Sequence, residues 1–169
     1  IATQLALAVC YPRAGNLGGG GFMVYRDQNG QEGSLDFRER APYTSSTDMF
    51  LDNRGQVIDN MSLVGVYASG VPGSVDGMWQ MHREKGSLPW CQLVQPAVDL
   101  AQNGVILTFN EAEHMNEYAQ IIDSVSKFST AYGQKKWKAG DRFIQQDLAT
   151  TLTAIRDYGR NGFYKGAVA

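Results

Sequence analysis

The chain has 169 residues and a formal net charge of −2, a size that suits one ordinary domain with its own core. Hydrophobic residues make up 43% and charged residues 19%, which excludes a disordered segment, and the balance of charge excludes a basic footprint for nucleic acid or an anionic membrane. No stretch reaches the roughly 18 apolar residues of a membrane-spanning helix; the most apolar run, Ile1 to Cys10, is interrupted by Thr3 and Gln4. The one basic cluster, Lys135, Lys136 and Lys138 around Trp137, is short and reads as a solvated loop. Cys10 and Cys91 are too few for a disulfide framework and lack metal spacing, so both read as free core thiols.

In chain order, Ile1 to Val9 is an apolar helical run with no capping residue before it. The closing run, Lys165 to Ala169, reads as the beginning of another element. The expectation is a single domain over residues 1–169 that is a fragment of a longer protein, truncated at both ends. Tyr11 to Gly21 holds Pro12, Gly15 and Gly18 to Gly21 and must be a loop. Phe22–Arg26 and Ser34–Arg38 are β-prone and flank a turn at Asn29-Gly30, which predicts an antiparallel hairpin. Two strands are marginal alone, so the hairpin is expected to join a larger sheet whose other strands lie elsewhere.

The remainder is mostly helical. Ser74 is placed to cap a helix running to about Lys85, with Val75, Met78, Trp79 and His82 on one face and Gly86 stopping it. Pro96 suggests the early part of a helix over Pro96 to Gln102, closed near Gly104. Asn110 with Glu113 is a capping-box variant opening a helix to about Val125. Leu148, Leu152 and Ile155 define a last helix ending near Gly159. The fold class is α+β, mostly helical with one hairpin.

The run from Gly15 to Gly21 is the most unusual local feature. A P-loop needs Gly-Lys-Ser/Thr entering a helix, whereas Gly21 enters Phe22 and a strand. The dinucleotide fingerprint follows a strand and opens a helix, the reverse of this order. The glycines therefore mark a close backbone approach, either to a packed segment or to a ligand. Arg38 leaves the second strand and is followed by Glu39. A guanidinium there is suited to gripping a carboxylate with two parallel hydrogen bonds, or to pairing with Asp36, Glu39 or Asp48. Glu111-Ala-Glu-His114 has Glu-x-x-His spacing but no second copy, so a solvated helix face is the reading. His82 lies beside Trp79 on its helix. No Gly-x-Ser-x-Gly elbow presents a nucleophile.

The string Ala14-Gly15-Asn16-Leu17-Gly18-Gly19-Gly20-Gly21-Phe22-Met23, followed by Leu35-Asp36-Phe37-Arg38-Glu39 and Ala41-Pro42, resembles the gamma-glutamyltranspeptidase family. Asp48 to Asp52, Ala68 to Val75, Gln95-Pro96-Ala97 with Leu100-Ala101 and Gly104, and Gly162 to Gly166 keep the same resemblance in order. Residues from Ala119 to Gly140 carry little of it. The resemblance implies an N-terminal-nucleophile hydrolase with a four-layer αββα sandwich, in which a precursor cleaves itself into a large and a small subunit. It implies that the small subunit's new N-terminal threonine attacks the γ-glutamyl amide of glutathione or another γ-glutamyl compound, with its own amine as base. The chain then corresponds to the early part of the large subunit, no catalytic residue lies within it, and no cofactor is needed. Its partners are the rest of the large subunit and the small subunit. By the same resemblance Arg38 binds the glutamyl α-carboxylate, Glu39 supports the pocket, and Gly18, Gly19 and Gly20 pack beneath it. A periplasmic or extracellular location is the family expectation. Two readings from other classes are a non-catalytic module that binds acidic amino acids and a purely structural relative.

Overall fold

The structure is a computed structural model that describes residues 1–126 and 128–169. Its first helix, α1 (Ala2–Cys10), buries Leu5, Ala8 and Val9, which recur three and four residues apart on one face. A loop then leads to the hairpin of β1 (Phe22–Arg26) and β2 (Glu32–Asp36), antiparallel in the register Phe22 to Asp36 through Arg26 to Glu32. The second strand thus begins and ends two residues earlier than Ser34–Arg38, and Arg38 lies beyond it. Ladder-like bonds continue one step further, with Phe37 N–H donating to the Gly21 carbonyl at 2.9 Å. Two of the three outward side chains of β1 are apolar, Phe22 at 66% and Val24 at 83% exposed, and the third is Arg26.

Helix α2 (Ser74–Lys85) has the predicted bounds, but Ser74 does not cap it. The cap position is Gly73, and the Ser74 hydroxyl instead donates to the Gly18 carbonyl at 3.0 Å. Val75 and Met78 are buried and Trp79 packs at the core's margin. Helix α3 (Trp90–Asn103) starts six residues before Pro96, with Pro89 at its cap position. Pro96 therefore sits inside the helix and leaves the carbonyl four residues back, that of Gln92, without its usual donor. Both residues are exposed, so that carbonyl remains open to water. Gly104, at φ 75°, closes the helix as predicted.

A second small sheet pairs β3 (Val105–Ile106) with β4 (Arg142–Phe143). Between them runs α4 (Phe109–Val125), whose capping box is Thr108 with Glu111 rather than Asn110 with Glu113. Thr108 holds the extended backbone that a cap residue needs, at φ −74° and ψ 171°. The glutamate accepts the Thr108 amide at 2.7 Å and returns its own amide to the Thr108 hydroxyl at 3.3 Å. Helix α5 (Gln146–Tyr158) ends at Gly159, as its periodicity indicates, and a short α6 (Asn161–Tyr164) follows.

The main core lies where α1, α3 and α5 stack, around Leu5, Val9, Val94, Val98, Leu152 and Ile155. The Trp90 indole N–H donates to the Ile155 carbonyl at 2.8 Å within it. A satellite core gathers Leu107, Ala112, Met115, Trp137 and Phe143. Trp137, read as part of a solvated loop, is only 4% exposed; the surrounding lysines stay at the surface, and Lys135 pairs with Asp141 at 3.0 Å. Among the described residues, no helix is long and apolar enough to cross a membrane. The architecture is a mixed α+β fold of helices with small antiparallel hairpins.

Candidate carboxylate-binding site

The segment Phe37-Arg38-Glu39 leaves β2 and is enclosed by glycines from two directions. On one side a Cβ at Gly20 would stand 2.6 Å from the Arg38 Cα, and closer still to the Phe37 carbonyl oxygen. On the other, a Cβ at Gly73 would meet the Phe37 carbonyl carbon at 2.7 Å and the Arg38 oxygen at 2.8 Å. One turn further, Gly77 makes room on α2 for the Phe37 ring, whose Cβ lies 2.7 Å from where a Gly77 Cβ would be. Separations this short are well inside the ~3.5 Å contact distance of non-bonded carbons. Only glycine lets these backbones approach.

The two glycine segments also bond to each other. The amides of Gly73 and Ser74 donate to the Gly19 carbonyl at 2.8 and 3.2 Å, and Ser74 reaches Gly18 as described above. Gly19 itself turns at φ 71°, a left-handed conformation that glycine adopts without strain. Beyond the site, Arg40 and Val71 exchange amide–carbonyl bonds at 3.1 and 2.8 Å. The backbone beneath Arg38 is thus fixed before its side chain is considered.

That side chain is held on one edge. Its Nε donates to both Asp36 carboxylate oxygens at 3.2 and 3.3 Å, and its Nη2 donates to Oδ2 at 2.9 Å. The Arg38 amide completes the grip, donating to Asp36 Oδ1 at 3.0 Å. The guanidinium carbon lies 4.8 Å from the centre of the Phe22 ring, a cation–π distance. Hydrogen bonds from Arg38 hold the Asp36 carboxyl below its usual range, and donating to that carboxylate pushes the Arg38 guanidinium further up.

The pairing with Asp36 is one of the alternatives the sequence left open, and it does not use up the arginine. A guanidinium has five N–H donors in a rigid fork. Asp36 takes the Nε–Nη2 edge; among the described residues Nη1 has no hydrogen-bond partner, and the side chain is 62% exposed. The end-on Nη1–Nη2 edge therefore points to a second carboxylate's geometry. Glu39 is exposed and runs between glycines, with Oε1 3.3 Å from a Cβ position at Gly19 and its own Cβ 2.9 Å from one at Gly70. Gly18 is less constrained, its nearest atom being Asn16 Oδ1 at 3.7 Å.

Other candidates lie apart from this clamp. His82 bonds to the Leu88 carbonyl at 2.8 Å and stacks near Trp79 and Trp90. His114 meets Arg13 Nη1 at 3.3 Å at the rim of a cavity of about 410 Å³ lined also by Cys10, Glu111 and Tyr118. A second cavity of about 620 Å³ runs past Asn16 and Gln145. Arg38 lines neither of the two. Burial, and secondarily the charge of Glu111, raises the Cys10 thiol above its usual range, which keeps it protonated at neutral pH; Cys91, expected in the core, is exposed on α3 instead. Among the described residues no cluster of three or more His, Cys, Asp or Glu side chains is arranged to hold a metal.

Sequence reasoning missed Gly73 and Gly77 as wall residues. Their spacing of four, one helical turn, was the available signal, since small residues at that interval open one helix face to a neighbouring backbone.

Fold and site together describe an α+β chain whose clamped arginine offers one free guanidinium edge to an anion. The chain belongs to the gamma-glutamyltranspeptidase family, whose model matches residues 1–169. It is 45% identical over 170 residues to the glutathione hydrolase proenzyme of Pseudomonas aeruginosa, covering 100% of this chain and 30% of that protein. Its fold matches the crystal structure of Helicobacter pylori gamma-glutamyltranspeptidase with a TM-score of 0.88 at 43% identity, over 99% of this chain and 49% of that one. The gamma-glutamyltranspeptidase of Pseudomonas nitroreducens, solved in complex with L-DON, matches with a TM-score of 0.85 at 41% identity, over 98% and 48% of the two chains. The chain thus spans about 30% of the length of curated relatives it matches.

Proposed function

We propose that this chain is the glutamyl-anchoring part of an enzyme that hydrolyses glutathione or another γ-glutamyl compound, or transfers its γ-glutamyl group. Arg38 receives the substrate's α-carboxylate on its Nη1–Nη2 edge, while Asp36 holds the opposite edge. The nucleophile is a threonine at the N-terminus of a small subunit, outside residues 1–169, and its free amine takes the proton. Gripping the far end of the glutamyl group confines the scissile carbonyl to the neighbourhood of that threonine, which lowers the entropic part of the barrier. No cofactor takes part.

The observation that carries this reading is the open edge of Arg38 on a backbone walled by Gly20 and Gly73. Family membership supports it, as does the name of the Pseudomonas aeruginosa relative, a glutathione hydrolase proenzyme. In the whole protein the hairpin joins a larger sheet within an αββα sandwich, which covers the apolar Phe22 and Val24. The whole protein works in the periplasm or outside the cell.

The test compares the full-length protein with residues 1–169 alone on a chromogenic γ-glutamyl amide. The full-length protein is expected to release the chromophore and the isolated chain to release none. Turnover by the isolated chain would place the nucleophile inside it and overturn the proposal. Tight glutamate binding with no turnover by the full-length protein would favour a binding module instead.

A further inference from the structure

Helix α2 begins without a side-chain cap, because Gly73 occupies the cap position. Its first amides need other acceptors. Gly19 supplies one, as described. Another comes from far along the chain: the Asp76 amide donates to the Tyr164 hydroxyl at 3.2 Å, across 88 positions. The same hydroxyl donates its proton to the Pro72 carbonyl at 2.6 Å. One oxygen therefore ties together the residues on both sides of Gly73.

The tyrosine is itself held. The Arg160 guanidinium carbon lies 4.7 Å from the centre of the Tyr164 ring, and Arg160 Nε donates to the Asp76 carboxylate. The Phe163 ring packs edge-on at 5.0 Å. Partial burial raises the Tyr164 phenol above its usual range, so it stays a donor at neutral pH. The turn it fastens is the one whose Gly73 lies so close to the Phe37 carbonyl and the Arg38 oxygen that no side chain would fit between them. Gly73 stands directly behind the Arg38 backbone, and the Tyr164 hydroxyl holds Pro72 and Asp76 on either side of it, in addition to the bonds that Gly73 and Ser74 make to Gly19.

We propose that Tyr164 is a positioning residue for the carboxylate anchor: it acts as a remote cap of α2 that keeps Gly73 wedged behind Arg38 and so fixes where the free guanidinium edge stands. The proposal rests on the reading of Arg38 given above. It assigns to α6 a part in substrate selection that no contact with substrate would reveal.

The experiment uses the full-length protein and two donors, γ-glutamyl-p-nitroanilide and 4-aminobutyryl-p-nitroanilide, which differ only in the α-carboxylate. The ratio of their kcat/KM values measures carboxylate recognition and cancels the fraction of folded enzyme, which a purely structural role would change alone. Arg38→Ala is expected to lower the ratio by about 100-fold or more. Tyr164→Phe, which keeps the ring and loses both hydroxyl bonds, is expected to lower it by about tenfold. A ratio within about twofold of wild type in Tyr164→Phe, with the expected collapse in Arg38→Ala, overturns the role of Tyr164 and leaves the anchor standing. An unchanged ratio in Arg38→Ala overturns both. If Tyr164→Phe gives no soluble enzyme, Arg160→Gln replaces it, since it removes both the cation over the ring and the ion pair to Asp76, the two contacts that keep the tyrosine hydroxyl against the start of α2. A fall of about threefold is then expected, and an unchanged ratio again overturns the proposal.

Discussion

Replacing Gly20 by alanine tests whether the wall behind Arg38 sets function through space alone. Gly20 is not at positive φ, so the backbone accepts an alanine without conformational strain, and only the added methyl matters. That methyl would begin 2.6 Å from the Arg38 Cα and 2.8 Å from its carbonyl carbon. Restoring the ~3.5 Å separation of non-bonded carbons requires a shift of about 1 Å. Because the neighbouring atoms are backbone, no side-chain rotation relieves the clash; overpacking of this kind destabilises by about 1–3 kcal/mol. A misplacement of about 1 Å in a substrate-orienting group lowers turnover by about 100-fold. Gly18→Ala is the internal control, since its nearest neighbour is 3.7 Å away and it too avoids positive φ. It should change stability by less than about 0.5 kcal/mol. Both variants would be made in the full-length protein and assayed by denaturant unfolding and by kcat/KM on a γ-glutamyl amide. If Gly20→Ala keeps kcat/KM within about threefold of Gly18→Ala, the spatial reasoning is wrong.

Two further outcomes follow from the geometry. Leu152 is fully buried where α5 meets α3, so Leu152→Ala should destabilise the full-length protein by about 2–5 kcal/mol in denaturant unfolding; a loss below about 1 kcal/mol would contradict this packing. Asp36 is held below its usual range first by the side chain of Arg38 and then by its amide. The stabilisation from that pair is therefore complete above the unfolded carboxylate value of about 3.9 and is lost as pH falls through the lower folded value. An NMR titration of the Asp36 carboxyl should give a midpoint under the ordinary value, and a midpoint at or above it would mean the pair does not persist in solution.

Elements whose boundaries are written in side-chain chemistry were legible from the sequence. Helix α2 stops at Gly86 and α5 at Gly159 because nothing else there competes with the glycine. The misreadings arose where one residue type permits two roles. Pro96 resembles the first residue of a helix, yet α3 starts at Trp90 and tolerates the proline because the orphaned Gln92 carbonyl faces water. Two overlapping patterns, Thr108 with Glu111 and Asn110 with Glu113, both have capping-box spacing; the backbone chose the first. Ser74 looked like a cap and instead fastens the Gly18 turn, a contact across 56 positions that no local pattern encodes. At the site, Arg38 and the glycine run stood out locally. The roles of Gly73 and Tyr164 did not, because both depend on which distant backbone comes to lie beside them.

The central claim is that a guanidinium at position 38 takes the amino-acid end of a γ-glutamyl donor through two parallel bonds. Arg38→Lys keeps the charge and removes the fork, so the most direct measurement is kcat/KM of that variant of the full-length protein on glutathione. A fall of about 100-fold or more is expected, nearly that of Arg38→Ala. Turnover within about twofold of the unaltered protein would contradict the claim.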